Sequence, residues 1–300
     1  MEKGRPSGTA QGAAIVRALH RILDDDPKIL DDSIAARLLG DEFDRYKTLV
    51  RFFPFSSLIR ANFIMRSRYA EDCLAESLRD GVGQYVLLGA GLDTFAYRQP
   101  GWASSLRIFE VDYPATQSWK RGKLAAANIP IPANVALVPV DFERISLQEG
   151  LGAAGLDFHV PTFLSSLGVT QYLTANALDR TLKFVLTLPA RSEIVFSFVL
   201  TGNALSVAQR IGAAVVATIG AARGEPWLTR FSPGQLVSKL KAMGFSEVSY
   251  FSTDEANLRY FQGRRDGLRA SRIEQVMRAI GGSVSSDVLV GMGSCRSQIS

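Results

Sequence analysis

The chain has 300 residues, 47% of them hydrophobic and 21% charged, with a formal net charge of +5. That length and balance suit one large α/β domain with additions, or two small domains, with enough core to fold without staples, and they exclude a disordered chain. Two cysteines, Cys73 and Cys295, stand far apart and in no metal-ligand spacing. They argue against a disulfide framework or a zinc site and make a reducing, cytoplasmic setting the default.

Residues 1–12 are polar and glycine-rich, without the apolar run of a signal peptide. Residues 9–80 read as mostly helical. Ala14, Ala18, Leu19 and Leu23 recur at helical spacing, Asp26-Pro27 opens a new segment as a first helical turn, and Gly40 ends the face made by Ile34, Leu38 and Leu39. A long helix is expected from Ser57 to about Arg79, stopped by Gly81 and Gly83. Strand-like runs follow at 84–88, 106–111, 135–140, 161–167 and 192–199, with helix-like runs at 113–127 and 175–188 between them. This alternation predicts a doubly wound parallel sheet. Two further strands are expected at Phe245 to Phe251 and Asp287 to Gly291. The intervening helical stretch 201–242 follows the fifth strand on the carboxyl side of the sheet, where a lid would lie. Ile211 to Ala222 is too short to cross a bilayer and reads as a helix packed on the body or over a pocket. Six arginines between Arg259 and Arg278 read as a charged face on a surface helix rather than a nucleic-acid site.

The segment Gln84-Tyr85-Val86-Leu87-Leu88-Gly89-Ala90-Gly91-Leu92-Asp93-Thr94 carries the chemistry. A buried-type strand ends in Gly-Ala-Gly, where missing Cβ atoms let a ligand approach the backbone. Asp112, at the end of the next strand, follows Gly91 by 21 residues, the distance at which an acid meets ribose hydroxyls. The third glycine of a dinucleotide fingerprint is replaced by Thr94, and Asp93 stands where a pyrophosphate would lie. An acid-lined turn suits S-adenosylmethionine, which has a sulfonium and no phosphate, better than NAD(P).

The same residues, Gln84 to Arg98, resemble the glycine motif of the leucine carboxyl methyltransferase family, and most closely its bacterial, polyketide-type O-methyltransferase branch. Arg66-Ser67-Arg68-Tyr69-Ala70-Glu71-Asp72, Phe109 to Pro114, Val138 to Phe142, and Pro161 through Thr174 resemble further family blocks in order, so the likeness runs from about residue 9 to 290. It implies a Rossmann-like class I methyltransferase sheet with an antiparallel last strand. An N-terminal helical cap (1–80) would precede an S-adenosylmethionine-binding domain (81–300) carrying a lid insertion at about 201–242. Arg68 would hold the cofactor carboxylate. Gly89, Ala90 and Gly91 would line its methionine and ribose, and Asp112, with Tyr113 beside it, would take the ribose hydroxyls. Asp141 and the backbone of Phe142 would meet the adenine. The Glu-Gly pair of the eukaryotic members reads Leu167-Gly168 here, which points towards the small-molecule branch.

Methyl transfer from a sulfonium is an in-line displacement needing alignment and water exclusion, with no metal. The expected activity is O-methylation of a small-molecule carboxylate or hydroxyl, with no nucleic-acid or membrane partner. The sequence assigns neither a catalytic base nor an oligomeric state. Of the two histidines, His159 falls at the wrong end of the sheet. His20 lies on a helix that could cover the pocket, where Arg17 could attract an anion. The alternatives are an NAD(P)-dependent oxidoreductase and a non-catalytic S-adenosylmethionine-binding protein.

Overall fold

The computed structural model describes residues 7–51, 56–141, 145–202, 205–222 and 224–282. Four helices come first: α1 (Gly8–Leu23), α2 (Ser33–Leu39), α3 (Asp41–Arg51) and α4 (Ser56–Arg79). Each start has a local cause. Ser7 accepts a hydrogen bond from the Ala10 N–H, and Asp32 accepts from the N–H groups of Ile34 and Ala35. Pro27 does not open a helix. The chain from Asp24 to Asp32 is irregular, and the next helix starts only at Ser33, where Asp32 supplies the cap.

The strands are β1 (Gln84–Leu88), β2 (Arg107–Asp112), β3 (Val135–Pro139), β4 (Thr162–Ser166), β5 (Glu193–Val199), β6 (Phe245–Phe251) and β7 (Glu274–Gly281). They form one sheet in the order β3-β2-β1-β4-β5-β7-β6, with β7 antiparallel to both neighbours. Helices α5 (Pro114–Ala126), α6 (Leu147–Ala153) and α7 (Ala175–Leu186) connect the parallel strands. Alternate side chains leave the sheet on opposite faces. Tyr85 and Leu87 enter a core shared with Ile64, Met65 and Cys73 of α4, while Val86 and Leu88 enter one shared with Leu178, Leu182 and Val185 of α7. The expected doubly wound architecture is thus present.

The expected strand 287–291 lies outside the described residues, and the strand that pairs with β5 and β6 is β7, at 274–281. The arginine run therefore does not form one surface helix. Arg259 sits on the helical turn 253–261, and Arg264 pairs with Asp266. Arg278 stands in β7, where its Nε lies 2.7 Å from Glu193 Oε2 and its Nη1 2.9 Å from Glu76 Oε2. Partner residues far away in sequence hid this pattern.

Helix α8 (Val207–Ala222) turns Ala213 and Gly220 inward and leaves Val207, Ile211, Val215 and Ile219 exposed. Helix α9 (Pro233–Met243) packs on the sheet through Leu236 and Leu240, so it is a flanking helix and not part of a covering segment. No described helix is long and apolar enough to cross a membrane.

Candidate active site

A cleft of about 410 Å³ opens at the carboxyl ends of β1, β2 and β4, within the size range of small-ligand pockets. Its floor is the turn after β1. Gly89 and Gly91 have φ of +68° and +47°, a region that residues with a Cβ rarely enter. A Cβ on Gly89 would lie 2.4 Å from Val169 Cγ2, and one on Gly91 would lie 2.9 Å from Ala10 Cβ. The turn is pinned from below by bonds from the Gly89 and Ala90 N–H groups to Val111 O, at 2.9 and 3.0 Å. Gly89→Ala should destabilise the fold by about 1–3 kcal/mol through strain alone, read as a lowered midpoint in thermal denaturation.

No α-helix follows this turn before β2. The chain makes two short 3₁₀ turns, Phe95–Tyr97 and Gly101–Ala103. The helix N-terminus that would stabilise a pyrophosphate is therefore missing from the place a dinucleotide needs it.

Asp112 closes β2 and reaches back to the turn. Its Oδ2 accepts from the Gly91 N–H at 2.6 Å and its Oδ1 from the Tyr113 N–H at 2.7 Å. Burial raises its pKa, against the opposing pull of those two bonds. Asp112, Tyr113, Asp141, Gly89, Ala90 and Gly91 all line the cleft, so the structure brings these six expected residues together. Phe142 lies outside the described residues.

Arg68 is not in the cleft. Its side chain is 47% exposed, bonds Asp72 at 2.8 Å, and faces a separate surface groove with Arg259 and Tyr260. Arg66 lines the cleft instead, buried against Phe63, with its guanidinium carbon 3.9 Å from the ring centre. The helix decides between the two. Residues two apart point about 200° apart, so only one of these arginines can face the sheet. Arg66 shares its face with Phe63 and Ala70, whereas Arg68 shares its own with Asp72. That spacing is present in the sequence itself. Arg66 Nη1 bonds Glu274, Glu274 Oε1 accepts from Ser197 Oγ at 2.6 Å, and the Arg66 Nε has no partner. Gly168, with φ +72°, lets this guanidinium pass; a Cβ there would meet its nitrogens at 2.7 Å.

The N-terminal helices close the cleft. Ser7, Thr9, Ala10, Ala13 and Arg17 line it, together with Glu225, Pro226 and Leu228 from beyond α8. The two sides touch where the Thr9 N–H donates to Glu225 Oε2 at 3.2 Å. Arg17 is committed to the turn itself: its Nη2 donates to Leu92 O at 2.6 Å and its Nε to Asp32 Oδ2 at 2.9 Å, and Thr94 Oγ1 donates to the same oxygen at 2.6 Å. It braces the glycine turn rather than offering a free cation. His20 is fully buried, with Nδ1 2.8 Å from Asp24 and Nε2 accepting from the Ile29 N–H, so it is a structural group away from the cleft. His159 does not line the cleft either. Among the described residues no group of three or more His, Cys, Asp or Glu could hold a metal ion.

Relatives bear on this geometry. A family model described as leucine carboxyl methyltransferase matches residues 10–186. YktD of Bacillus subtilis, named for S-adenosyl-L-methionine-dependent methyl transfer, is 31% identical and covers 93% of this chain and 99% of its own length. SCO7813 of Streptomyces coelicolor, similarly named, is 33% identical over 58% of this chain and 63% of its own. Among solved structures, a methyltransferase-named protein from Thermobifida fusca superposes with a TM-score of 0.59 at 17% identity, covering 94% of this chain and 97% of that one. A DUF574 family protein from Streptomyces avermitilis gives 0.55 at 18% identity, with 90% and 97% coverage. The two structures speak to the fold, and the sequence matches speak to the family and set the oxidoreductase alternative aside. The chain belongs to the leucine carboxyl methyltransferase family and is an S-adenosylmethionine-dependent methyltransferase.

Proposed function

We propose that the enzyme is an O-methyltransferase acting on a small molecule, and that S-adenosylmethionine lies across the glycine turn with its ribose at Asp112, its adenine towards Asp141 and its methionine end towards Arg66. The residues fit that cofactor. The turn Gly89–Gly91 brings backbone without long side chains to the cleft, Arg66 carries an unpartnered buried donor, and Asp93, Asp112, Asp141 and Glu225 set four carboxylates against two arginines around the cleft. A cationic sulfonium is favoured there, and when bound it supplies the electrophilic methyl group.

The chain's own contribution is positioning and exclusion of water. Asp112 and the turn hold the nucleoside, and the cap (residues 7–17) with the segment 225–228 closes the reaction space. Of the expected lid at 201–242, we assign the covering role only to the part around 225–228.

Between a carboxylate and a hydroxyl acceptor, the carboxylate is favoured. The observation that carries this is that the cleft carboxylates Asp93, Asp112 and Glu225 are held by backbone N–H groups, Asp93 by Phe95, Asp112 by Gly91 and Tyr113, and Glu225 by Thr9, while Asp141 is given to the adenine. An acceptor ionised above about pH 4 needs no base, whereas a phenol with a pKa near 10 does. Radiolabelled methyl transfer to a panel of carboxylic acids and phenols tests this. A carboxylate acceptor should give a kcat/KM that is flat from about pH 6 to 9. Turnover of phenols alone, rising about tenfold per pH unit, would support the hydroxyl instead.

A further inference from the structure

Among the described residues, two side chains lining the cleft carry a buried polar atom with no hydrogen-bond partner: Arg66, through Nε, and Gln171, through Oε1. One is an unpaired cationic donor and the other an unpaired acceptor. Gln171 sits on the short turn Thr170–Tyr172 that follows β4 and is only 6% exposed. Its backbone is fixed from the covering segment: the Leu228 N–H donates to Gln171 O at 2.6 Å, and Thr229 Oγ1 donates to Thr170 O at 2.7 Å. The side chain is therefore held in the wall while its amide oxygen is left unsatisfied. A buried acceptor in that condition is costly unless a ligand supplies a donor.

Strand order says which end of the cofactor meets this wall. β2 and β4 flank β1 on opposite sides. With the ribose at Asp112 on the β2 side and the adenine towards β3, the amino-acid end must run towards β4. Along the wall from Leu167 to Gln171, Leu167, Gly168 and Val169 have no side-chain acceptor, and Thr170 Oγ1 donates to Ser197 O at 2.5 Å. The side-chain acceptor left on this wall is Gln171 Oε1. An α-amino acid presents a carboxylate and an ammonium on one carbon, which is the complement of an unpaired guanidinium N–H and an unpaired amide oxygen.

We propose that Gln171 is a cofactor-binding residue whose side-chain oxygen accepts a hydrogen bond from the α-ammonium of S-adenosylmethionine. This rests on the cofactor placement argued above. Gln171→Met keeps the length of the side chain and removes its hydrogen bonding, and Gln171→Glu keeps an acceptor at the same reach. The assignment is tested by calorimetry with S-adenosylhomocysteine, which keeps the amino-acid end, and 5′-methylthioadenosine, which lacks it. Gln171→Met should weaken S-adenosylhomocysteine binding about 10- to 100-fold, as expected for losing a hydrogen bond to a charged group. It should leave methylthioadenosine binding unchanged, and Gln171→Glu should bind S-adenosylhomocysteine at least as tightly as the wild type. Unchanged S-adenosylhomocysteine affinity in Gln171→Met, or equal losses for both ligands, would overturn the assignment alone. Failure of the wild type to bind S-adenosylhomocysteine would overturn the cofactor placement and the assignment with it.

Discussion

Asp112→Ala is expected to weaken S-adenosylmethionine binding by about 10- to 100-fold, the scale of one or two hydrogen bonds to a charged group. The carboxylate stands at the carboxyl end of β2 beside the glycine turn, with both oxygens already anchored by the N–H groups of Gly91 and Tyr113. Those bonds aim its remaining lone pairs into the cleft. They also give the substitution a second consequence. Removing the carboxylate leaves two backbone donors unpaired, each costing about 1–3 kcal/mol if it stays buried, so the variant should also melt earlier. The cofactor and stability effects separate in a single experiment: calorimetry well below the variant's melting temperature reads affinity on folded protein. Wild-type affinity in a folded Asp112→Ala variant would remove Asp112 from the site.

Arg66→Met is expected to lower stability by about 3–5 kcal/mol, because it strips Glu274 of its cationic partner in a buried setting. Glu274 would be left with Ser197 Oγ as its neighbour. The double variant Arg66→Met/Glu274→Gln removes both charges together and should recover most of that loss, since replacing a whole buried pair is far milder than breaking it. Cofactor affinity should not recover, because the guanidinium is absent from both proteins. Arg68→Met is the contrasting case. Its ion pair with Asp72 is on an exposed flank, where such pairs contribute about 0–1 kcal/mol, and binding of S-adenosylmethionine should stay within about twofold of wild type. Chemical denaturation and calorimetry on the three variants decide the matter. A large affinity loss in Arg68→Met with none in Arg66→Met would return the clamp to Arg68.

Much of the sheet was legible because the central parallel strands are buried on both faces and read as short apolar runs between turn signals. Gln84–Leu88 and Glu193–Val199 are examples. The last strand was not legible for the same reason. Glu274–Gly281 carries Glu274, Gln275 and Arg278, whose burial depends on Arg66, Thr253 and Glu193, partners distant along the chain. A local pattern contains no information about such pairings. Within the site, Gly89, Gly91 and Asp112 were readable because they close two successive, paired strands, β1 and β2, at a short fixed separation along the chain. Gln171 and Glu225 were not, because they reach the cleft on irregular segments whose course is set by tertiary bonds, Leu228 to Gln171 and Thr9 to Glu225. Arg66 falls between these cases: helical periodicity alone separates it from Arg68, provided the face of α4 that meets the sheet is identified first.

The most direct test of the account is a crystal structure of the protein grown with S-adenosylhomocysteine. The account predicts the ligand across the turn at Gly89–Gly91, its ribose hydroxyls on Asp112, its adenine towards Asp141 and its amino-acid end between Arg66 and Gln171. A ligand-free cleft at saturating concentration, or the nucleoside bound instead in the groove beside Arg68, would contradict it.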